Sequence, residues 1–328
     1  MRIGVTGISG SLGTALVEAF QKDHVVVGIT RDELKAEKIM AGKENVRCMV
    51  VAAGLEDEAV MRRAFDGCHM LIHAAALKRI SGSVYAAHEI VKTNIIGTQT
   101  VLRVARDLGI RKVILVSSDK AVEATNLYGS SKFCAECVAV QENSFSYPKG
   151  TSVCVVRYGN VLGSRGSVVH IWREQLKRSG QLTLTDRNMT RFIITMAQAI
   201  QVIRDAMAYG NAGDILVPNL RSARMVDLAF AIMRETGVLH GQMLETGLRP
   251  GGEKLHESLL SGEEIARTRI LNERYFVIEP SHATWKKKAD NSLAFFQGDS
   301  YTSRATNQYT VSELTELLAG VPQRSSTD

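Results

Sequence analysis

Short runs of consecutive apolar residues alternate, along the first half of the chain, with longer stretches in which apolar residues recur every three or four positions. The runs are "RIGVT", "HVVVGITR", "VRCMVVAA", "HMLIHAAA", "KVILVSS" and "TSVCVVRYGNV". They are rich in Val and Ile, which predicts strands buried on both faces of a sheet. The stretches between them predict helices. In "SGSLGTALVEAF" Leu12, Leu16 and Phe20 share one face, "DELKAEKIM" opens on Asp32 as a candidate cap, and "DEAVMRRAF" is a third helix. "HEIVKTNIIGTQTVLRVARDLG" predicts one long helix ending at Gly109, and "LYGSSKFCAECVAVQEN" the helix after the fifth strand. Strands alternating with helices in this way argue for an α/β fold, a Rossmann-type doubly wound parallel sheet.

Past Val161 the alternation breaks. "LGSRGSVVHIWREQLKRSGQLTLTD" predicts a loop, a helix and a short strand outside the sheet. "MTRFIITMAQAIQVIRDAMAYG" predicts another helix, "DILVPN" a strand and "MVDLAFAIMRETG" a helix. The expected division is a cofactor-binding domain of residues 1–161 plus about 190–220, and a smaller substrate-binding domain of 162–189 plus about 221–328. The chain has no internal repeat, and its polar tail, "PQRSSTD", is expected to fray.

Composition narrows the class further. The 328 residues are 45% hydrophobic and 23% charged, which suits a globular protein. No apolar run approaches the ~18 residues of a membrane helix. "MRIGVTG" enters a strand directly, so no signal peptide is expected and the expected location is the cytoplasm. Lys and Arg exceed Asp and Glu by 40 − 34 = 6, but without a basic block. An anionic small molecule explains that excess as well as nucleic acid does, and nucleic acid is not expected as a partner. The cysteines Cys48, Cys68, Cys134, Cys137 and Cys154 are too few and too scattered for a disulfide framework. Cys134 and Cys137 have C-x-x-C spacing but fall on a predicted helix with no second ligand pair nearby. They read as helix packing, and no metal site is expected.

Candidate chemistry gathers at two places. "TGISGSLG" sets Gly7, Gly10 and Gly13 between the first strand and its helix. Glycines there permit a tight turn and a close approach to a pyrophosphate, which the helix N-terminus favours. The second strand ends at Thr30, followed by Arg31, Asp32 and Lys35. An acid at this point usually accepts from a ribose 2′-hydroxyl, whereas a cation matches a 2′-phosphate. Arg31 and Lys35 therefore favour NADP, and Asp32 leaves NAD as the alternative. The other place is "VSSDKAVEATNLYGSSK", which carries Ser117, Ser118, Asp119, Lys120, Tyr128 and Lys132. Tyr128 and Lys132 are four apart on a helix and share a face. In such a pair the ammonium is expected to lower the phenol pKa, so that tyrosinate accepts a hydroxyl proton during hydride transfer.

The segments "HAAALK", "KTNIIGT", "SSDKA", "NLYGSSK", "VVRYGNVLGSRGSVV", "MTRF", "RPGGEKLHE" and "YTSRATNQYTVSELTELL" follow one another in order. On these the chain resembles the inverting UDP-N-acetylglucosamine 4,6-dehydratases of the extended short-chain dehydrogenase/reductase superfamily, enzymes of pseudaminic acid and related polysaccharide sugar pathways. The resemblance covers nearly the whole chain. It implies a UDP-sugar substrate, with Tyr128 taking the 4-hydroxyl proton, Lys120 the C5 proton, and Asp119 protonating the departing 6-hydroxyl. It further implies substrate contacts from Lys78, Ser118, Asn160, Arg249 and Glu253, and a uridine pocket lined by Thr185 and Met189. Cofactor contacts would come from Ser9, Ser11, Leu12, Ala74, Ser117, Lys132 and Val161.

Some positions depart from that family's pattern. Ala53 stands where an aspartate reads adenine, and Ser81, Val84, Ala86 and Ala87 alter a substrate loop. Ala124 and His170 replace prolines, His170 reading as a polar loop residue. One extra glycine, Gly251 or Gly252, lies between Arg249 and Glu253. The superfamily also implies a homo-oligomer built from dimers, and a hexamer in this family. The helices near 88–108 and 127–143 would pack against a twin through Leu102, Val138 and Ala139. The rival readings are a nucleotide-sugar 4-epimerase, a retaining 4,6-dehydratase and a non-catalytic NADP-binding regulator.

Overall fold

The computed structural model describes residues 1–78, 86–148, 150–283, 285 and 293–323. The altered loop positions Ser81 and Val84 and the end of the tail lie outside these. The first half alternates as its pattern predicts: β1 (Arg2–Thr6), α1 (Ser11–Phe20), β2 (Val25–Thr30), α2 (Glu33–Met40), β3 (Val46–Val50), α3 (Glu58–Phe65), β4 (Met70–His73), α4 (Ala87–Ile90), α5 (Gly97–Asp107), β5 (Lys112–Ser118), α6 (Leu127–Ser146) and β6 (Ser152–Tyr158). There follow β7 (Asn160–Val161), α7 (Val168–Ser179), β8 (Gln181–Leu184), β9 (Thr190–Ile194), α8 (Met196–Tyr209), β10 (Ile215–Pro218), β11 (Ser222–Arg224), α9 (Met225–Thr236), β12 (Gln242–Glu245), β13 (Ser258–Leu260), α10 (Gly262–Ile265), β14 (Thr268–Asn272), β15 (Tyr275–Ile278), β16 (Tyr301–Thr302) and α11 (Val311–Ala319).

Among the described residues the main sheet has nine strands in the order β14-β15-β10-β6-β5-β4-β1-β2-β3. The strands from β10 to β3 run parallel, and β15 and β14 close one edge antiparallel. Residues 268–278, placed with the substrate unit in the sequence reading, thus extend the main sheet. The order reverses between β1 and β4, and a doubly wound sheet opens a ligand crevice at such a point, beyond the strand ends. Side chains of β1, β4, β5 and β6 such as Ile3, Leu71, Ile114 and Val156 fill the main core. A second core, built on Trp172, Leu176, Leu228, Ile232 and Leu314, joins α7, α9, α11 and β8.

Four local expectations are corrected. The long helix before β5 contains a π-helical turn over Val91–Ile96, because Gly97 N–H reaches back to Lys92 O. The sixth strand stops at Tyr158, and Asn160–Val161 pairs with β9 in a separate sheet. "TRFII" is strand β9, not helix; the Thr195–Gln198 capping box starts α8 only after it. His170 lies on α7, 2% exposed, with Nε2 2.8 Å from Gly163 O, so it is a buried helix residue and not a polar loop residue.

Two of the proposed twin contacts also fail. Leu102 and Ala139 are wholly buried within the chain, and Val138 packs partly buried on the core. The apolar side chains exposed on these helices are Val91, Ile96, Phe133 and Phe145.

A buried ion triad ties the C-terminal part to the sheet. Arg157 of β6, 1% exposed, donates to Glu136 of α6 at 2.6 and 3.0 Å and to Glu264 of α10 at 2.8 Å twice. Burial alone would raise Glu264, but the Arg157 guanidinium outweighs it and holds the carboxyl below its usual range. Removing one partner of such a group strands a buried charge. Glu264→Ala is therefore expected to destabilise the fold by about 3–5 kcal/mol, read as a lowered denaturant midpoint. A loss under 1 kcal/mol would show that the triad does not hold these parts together.

Candidate active site

The turn between β1 and α1 is shaped for a close-approaching group. Gly7 has a φ of 71°. A Cβ on Gly13 would stand 2.2 Å from Gly7 O and 2.6 Å from Ile8 Cα, so only glycine lets α1 start so near the strand. Gly10 caps α1 without a side-chain hydrogen bond, and Ser11 and Leu12 form its first turn. Ser9 accepts from Thr30 Oγ1 at 3.0 Å, which joins this turn to the end of β2. Thr6 Oγ1 lies 2.6 Å from His73 Nδ1 and accepts from Ala75 N at 3.2 Å, which holds Ala74 beside the same turn. Burial keeps His73 neutral, its pKa pushed down to about 3.

At the edge of the cradle Arg31 is exposed. Asp32 accepts from Lys35 N at 3.0 Å and pairs with Lys35 Nζ at 2.7 Å, so both are engaged in starting α2. The glycine cradle, the helix N-terminus and a cation after β2 fit a nicotinamide dinucleotide. Among the described residues no group of three or more His, Cys, Asp and Glu is placed to hold a metal ion.

The second cluster forms where β5 ends. Ser118 is extended, and Asp119–Ala121 make one 3₁₀ turn. α6 begins six residues later, capped by Asn126, whose Oδ1 accepts from Gly129 N at 2.9 Å. A Cβ on Gly129 would lie 2.2 Å from Lys120 O, so the helix carrying Tyr128 rests directly on the turn carrying Lys120. Asp119 is 0% exposed; its Oδ1 accepts from Ser118 Oγ and Lys120 Nζ, both at 2.9 Å, and its Oδ2 has no hydrogen-bond partner. Lys120 Nζ also donates to Asn160 Oδ1 at 2.8 Å and lies 3.4 Å from Glu257 Oε1. Burial raises Asp119 above the usual carboxylate range, opposed by Lys120 and reinforced by Glu257.

Tyr128 departs from expectation. Its phenol is pushed up to about 12 by burial, with the Asp119 carboxylate adding to the effect. Lys132 lies on the same helix, but its Nζ donates to Val116 O at 2.8 Å, and burial takes it down to about 8. What opposes the phenol's rise is a hydrogen bond with Ser118, not the Lys132 ammonium. Ser117, on β5, is buried with an unpartnered Oγ.

The remaining candidates divide. Asn160 and half-buried Val161 stand on β7, with Asn160 on Lys120. Lys78 is exposed and donates to Arg165 O at 3.1 Å. Arg249 and Glu253 bind each other, Nη2 to Oε1 at 2.5 Å and Nε to Oε2 at 3.0 Å. The glycine-rich turn between them docks on the start of α6, where Asn126 Nδ2 donates to Gly252 O at 3.1 Å. Thr185 is half-buried after β8, whereas Met189, 3% exposed, belongs to the second core.

Three residues of the site escaped the sequence reading. Asn94, inside the π-turn, clamps Leu77 through both its N–H and its C=O and donates to Ser131 Oγ at 2.9 Å. Arg165 lies over the glycine turn, with its N–H on Ser11 Oγ at 2.8 Å. Glu257 sits beside Lys120. Each lay inside a quoted segment, but nothing in their spacing pointed at the turns they reach.

The chain matches the model of the polysaccharide biosynthesis protein family over residues 3–280, and it belongs to that family. A UDP-glucose 4-epimerase of Rickettsia rickettsii is 31% identical over 96% of this chain and 94% of its own. A protein of Methanocaldococcus jannaschii, named an uncharacterized membrane protein, is 35% identical over 84% of this chain and 85% of its own. In the described residues here no helix is long and apolar enough to cross a membrane. The X-ray structure of Pen from Bacillus thuringiensis superposes with a TM-score of 0.88 at 27% identity, covering 97% of each chain. DesIV, a dTDP-glucose 4,6-dehydratase from Streptomyces venezuelae, superposes with a TM-score of 0.68 at 21% identity over 77% of this chain and 86% of its own, a likeness of fold.

The contact of Gly129 with Lys120 O makes that seam testable. Gly129→Ala must push α6 off the turn, and overpacking of this kind typically costs about 1–3 kcal/mol. The variant is expected to melt lower and to lose most of its turnover. Full activity with unchanged melting would show that the seam yields freely.

Proposed function

We propose that this member of the polysaccharide biosynthesis protein family is a UDP-N-acetylglucosamine 4,6-dehydratase that works with NADP and inverts C5. The single observation that carries the reading is the pair of buried Asp119 and half-buried Lys120 beside Tyr128, with Asp119 Oδ1 2.9 Å from Lys120 Nζ. Oxidation at C4 needs one base, and Tyr128 with Lys132 supplies it. Elimination across C5 and C6 needs a base and an acid, and Asp119 with Lys120 supplies both. A buried carboxyl raised above its usual range is suited to deliver a proton to a leaving hydroxyl.

The glycine turn would hold NADP, which would supply the acceptor and later the donor of the hydride that passes from C4 to C6. Arg31, exposed just after β2, would meet its 2′-phosphate, while Asp32 is committed to Lys35 and the helix cap. Tyr128 takes the 4-hydroxyl proton. Only the tyrosinate form can accept that proton, and burial, which pushes the phenol up to about 12, opposes that form. The C4 ketone acidifies C5, Lys120 takes the C5 proton in its amine form, and Asp119 protonates the departing 6-hydroxyl. Reprotonation of C5 on the other face, by a solvent-exchangeable proton that balances the one Tyr128 took from the 4-hydroxyl, gives the UDP-4-keto-6-deoxy-L-arabino-hexosamine. Arg249, anchored by Glu253, keeps a guanidinium at the surface suited to a diphosphate.

The printed name of the Rickettsia relative favours a second reading, a nucleotide-sugar 4-epimerase. Such an enzyme uses Tyr128 and Lys132 but has no elimination for Asp119 and Lys120 to perform. Product mass separates the two. Incubated with UDP-N-acetylglucosamine, the protein is expected to yield a product lighter by one water, with one solvent deuterium at C5 in D₂O and inverted configuration there. An isobaric product points to the epimerase, and a retained C5 to a retaining dehydratase. Lys120→Met is expected to cut dehydration by about 10²–10⁴-fold while cofactor reduction persists. Dehydration by that variant at the unaltered rate would remove Lys120 from the step.

The cofactor is tested separately. Denaturing the purified protein is expected to release NADP. Arg31→Ala is expected to weaken NADP binding by about 10- to 100-fold and leave NAD binding little changed, since a charged hydrogen bond contributes about 1.5–3 kcal/mol. Release of NAD alone would overturn the assignment.

A further inference from the structure

One buried carboxylate at the site has no part in the chemistry above. Glu257 is 3% exposed, and its backbone N–H donates to Ser303 Oγ at 2.9 Å. Its carboxylate reaches two ammonium groups: Oε1 is 3.4 Å from Lys120 Nζ, and Oε2 is 3.2 Å from Lys254 Nζ. Lys254 is anchored in turn on Val122 O at 2.7 Å, just past the Asp119–Ala121 turn. Lys120 therefore touches two buried carboxylates, Asp119 at 2.9 Å and Glu257 at 3.4 Å.

The elimination fixes how many protons the working pair must hold. The C5–H bond breaks and its proton goes to the Lys120 amine, while its electron pair becomes the C5–C6 double bond. The C6–O bond breaks, and the hydroxyl leaves as water with the proton of Asp119. The pair gains one proton and gives up one. Transfer back from Lys120 to Asp119 along their 2.9 Å contact restores the starting form. A pair with no proton lacks the acid, and a pair with two lacks the base. Its rate therefore follows the fraction that holds one.

We propose that Glu257 is a positioning residue for this step: its ionised carboxylate, clamped by Lys254, holds Lys120 in place and keeps one proton on the Asp119–Lys120 pair at neutral pH. The inference rests on the dehydratase reading. The groups that face Glu257 are Lys120, Lys254 and Arg191; those that face Asp119 are Lys120, Glu257, Ser118 and Tyr128. Burial alone would raise Glu257, but Lys120, Arg191 and Lys254 outweigh it and keep it ionised. A fixed anion next to a titrating pair raises the pair's affinity for protons, so removing it must move both limbs of the pair's pH profile to lower pH.

The test uses the full-length protein with UDP-N-acetylglucosamine, measuring the water-loss product across pH and first-turnover cofactor reduction. Glu257→Gln is expected to shift the dehydration bell to lower pH by about one unit or more. At the unaltered enzyme's optimum its rate is expected to fall by about tenfold or more, recovering in part on the acid side, while cofactor reduction persists. Glu257→Asp keeps the charge and is expected to leave the bell in place. A carboxylate with only a structural role would lower the height of the bell without moving it. A bell that stays put in Glu257→Gln, whatever its height, overturns the inference alone. If the unaltered protein yields no product lighter by one water, the dehydratase reading falls and this inference with it.

Discussion

The site depends on one close contact, the seam between the 3₁₀ turn at the end of β5 and the first turn of α6. Gly129 brings the helix backbone against Lys120 O at a distance no side chain would permit. That contact converts eight residues of sequence separation into one cluster, with Tyr128 beside Asp119 and Lys120. The Asn126 cap and the glycine turn at residue 252 support the seam from the outside, and Asn94 supports it from below through Ser131. Shifting α6 would move the hydroxyl base and leave the acid–lysine pair where it is. The proposed division of labour requires both to reach neighbouring carbons of one sugar.

Burial then decides the chemistry available. Asp119 and Glu257 are both removed from water, yet their environments push them in opposite directions. Asp119 is raised, while Glu257 is held down by three cations. Two carboxyl groups with separated proton affinities around one lysine can divide an acid role from a counter-ion role. Desolvation likewise raises Tyr128, and the Asp119 and Glu257 carboxylates add to the effect.

Family membership does not by itself decide the reaction: a relative at 31% identity is named a UDP-glucose 4-epimerase, and the likeness to a dTDP-glucose 4,6-dehydratase is one of fold. In the proposed reading the pair at the end of β5 makes the difference, because elimination needs a second acid and base that epimerisation does not.

The sequence by itself determined the alternation of buried strands and helices, the glycine turn, and the presence of an acid–lysine pair ahead of a Tyr-x-x-x-Lys helix. These are local facts: periodicity, turn chemistry and i,i+4 spacing act over a few residues, so they survive without knowledge of the fold. Only tertiary structure decided that Arg249 is bound by Glu253, that Met189 and His170 are buried, and that Leu102 and Ala139 face inward. It alone brought Glu257, well over a hundred residues away, to Lys120. Those outcomes turn on which surfaces pack together and how completely water leaves them. The direction of the Tyr128 shift shows the same limit, because i,i+4 spacing names the lysine but carries no measure of the desolvation and the neighbouring carboxylates that set the shift.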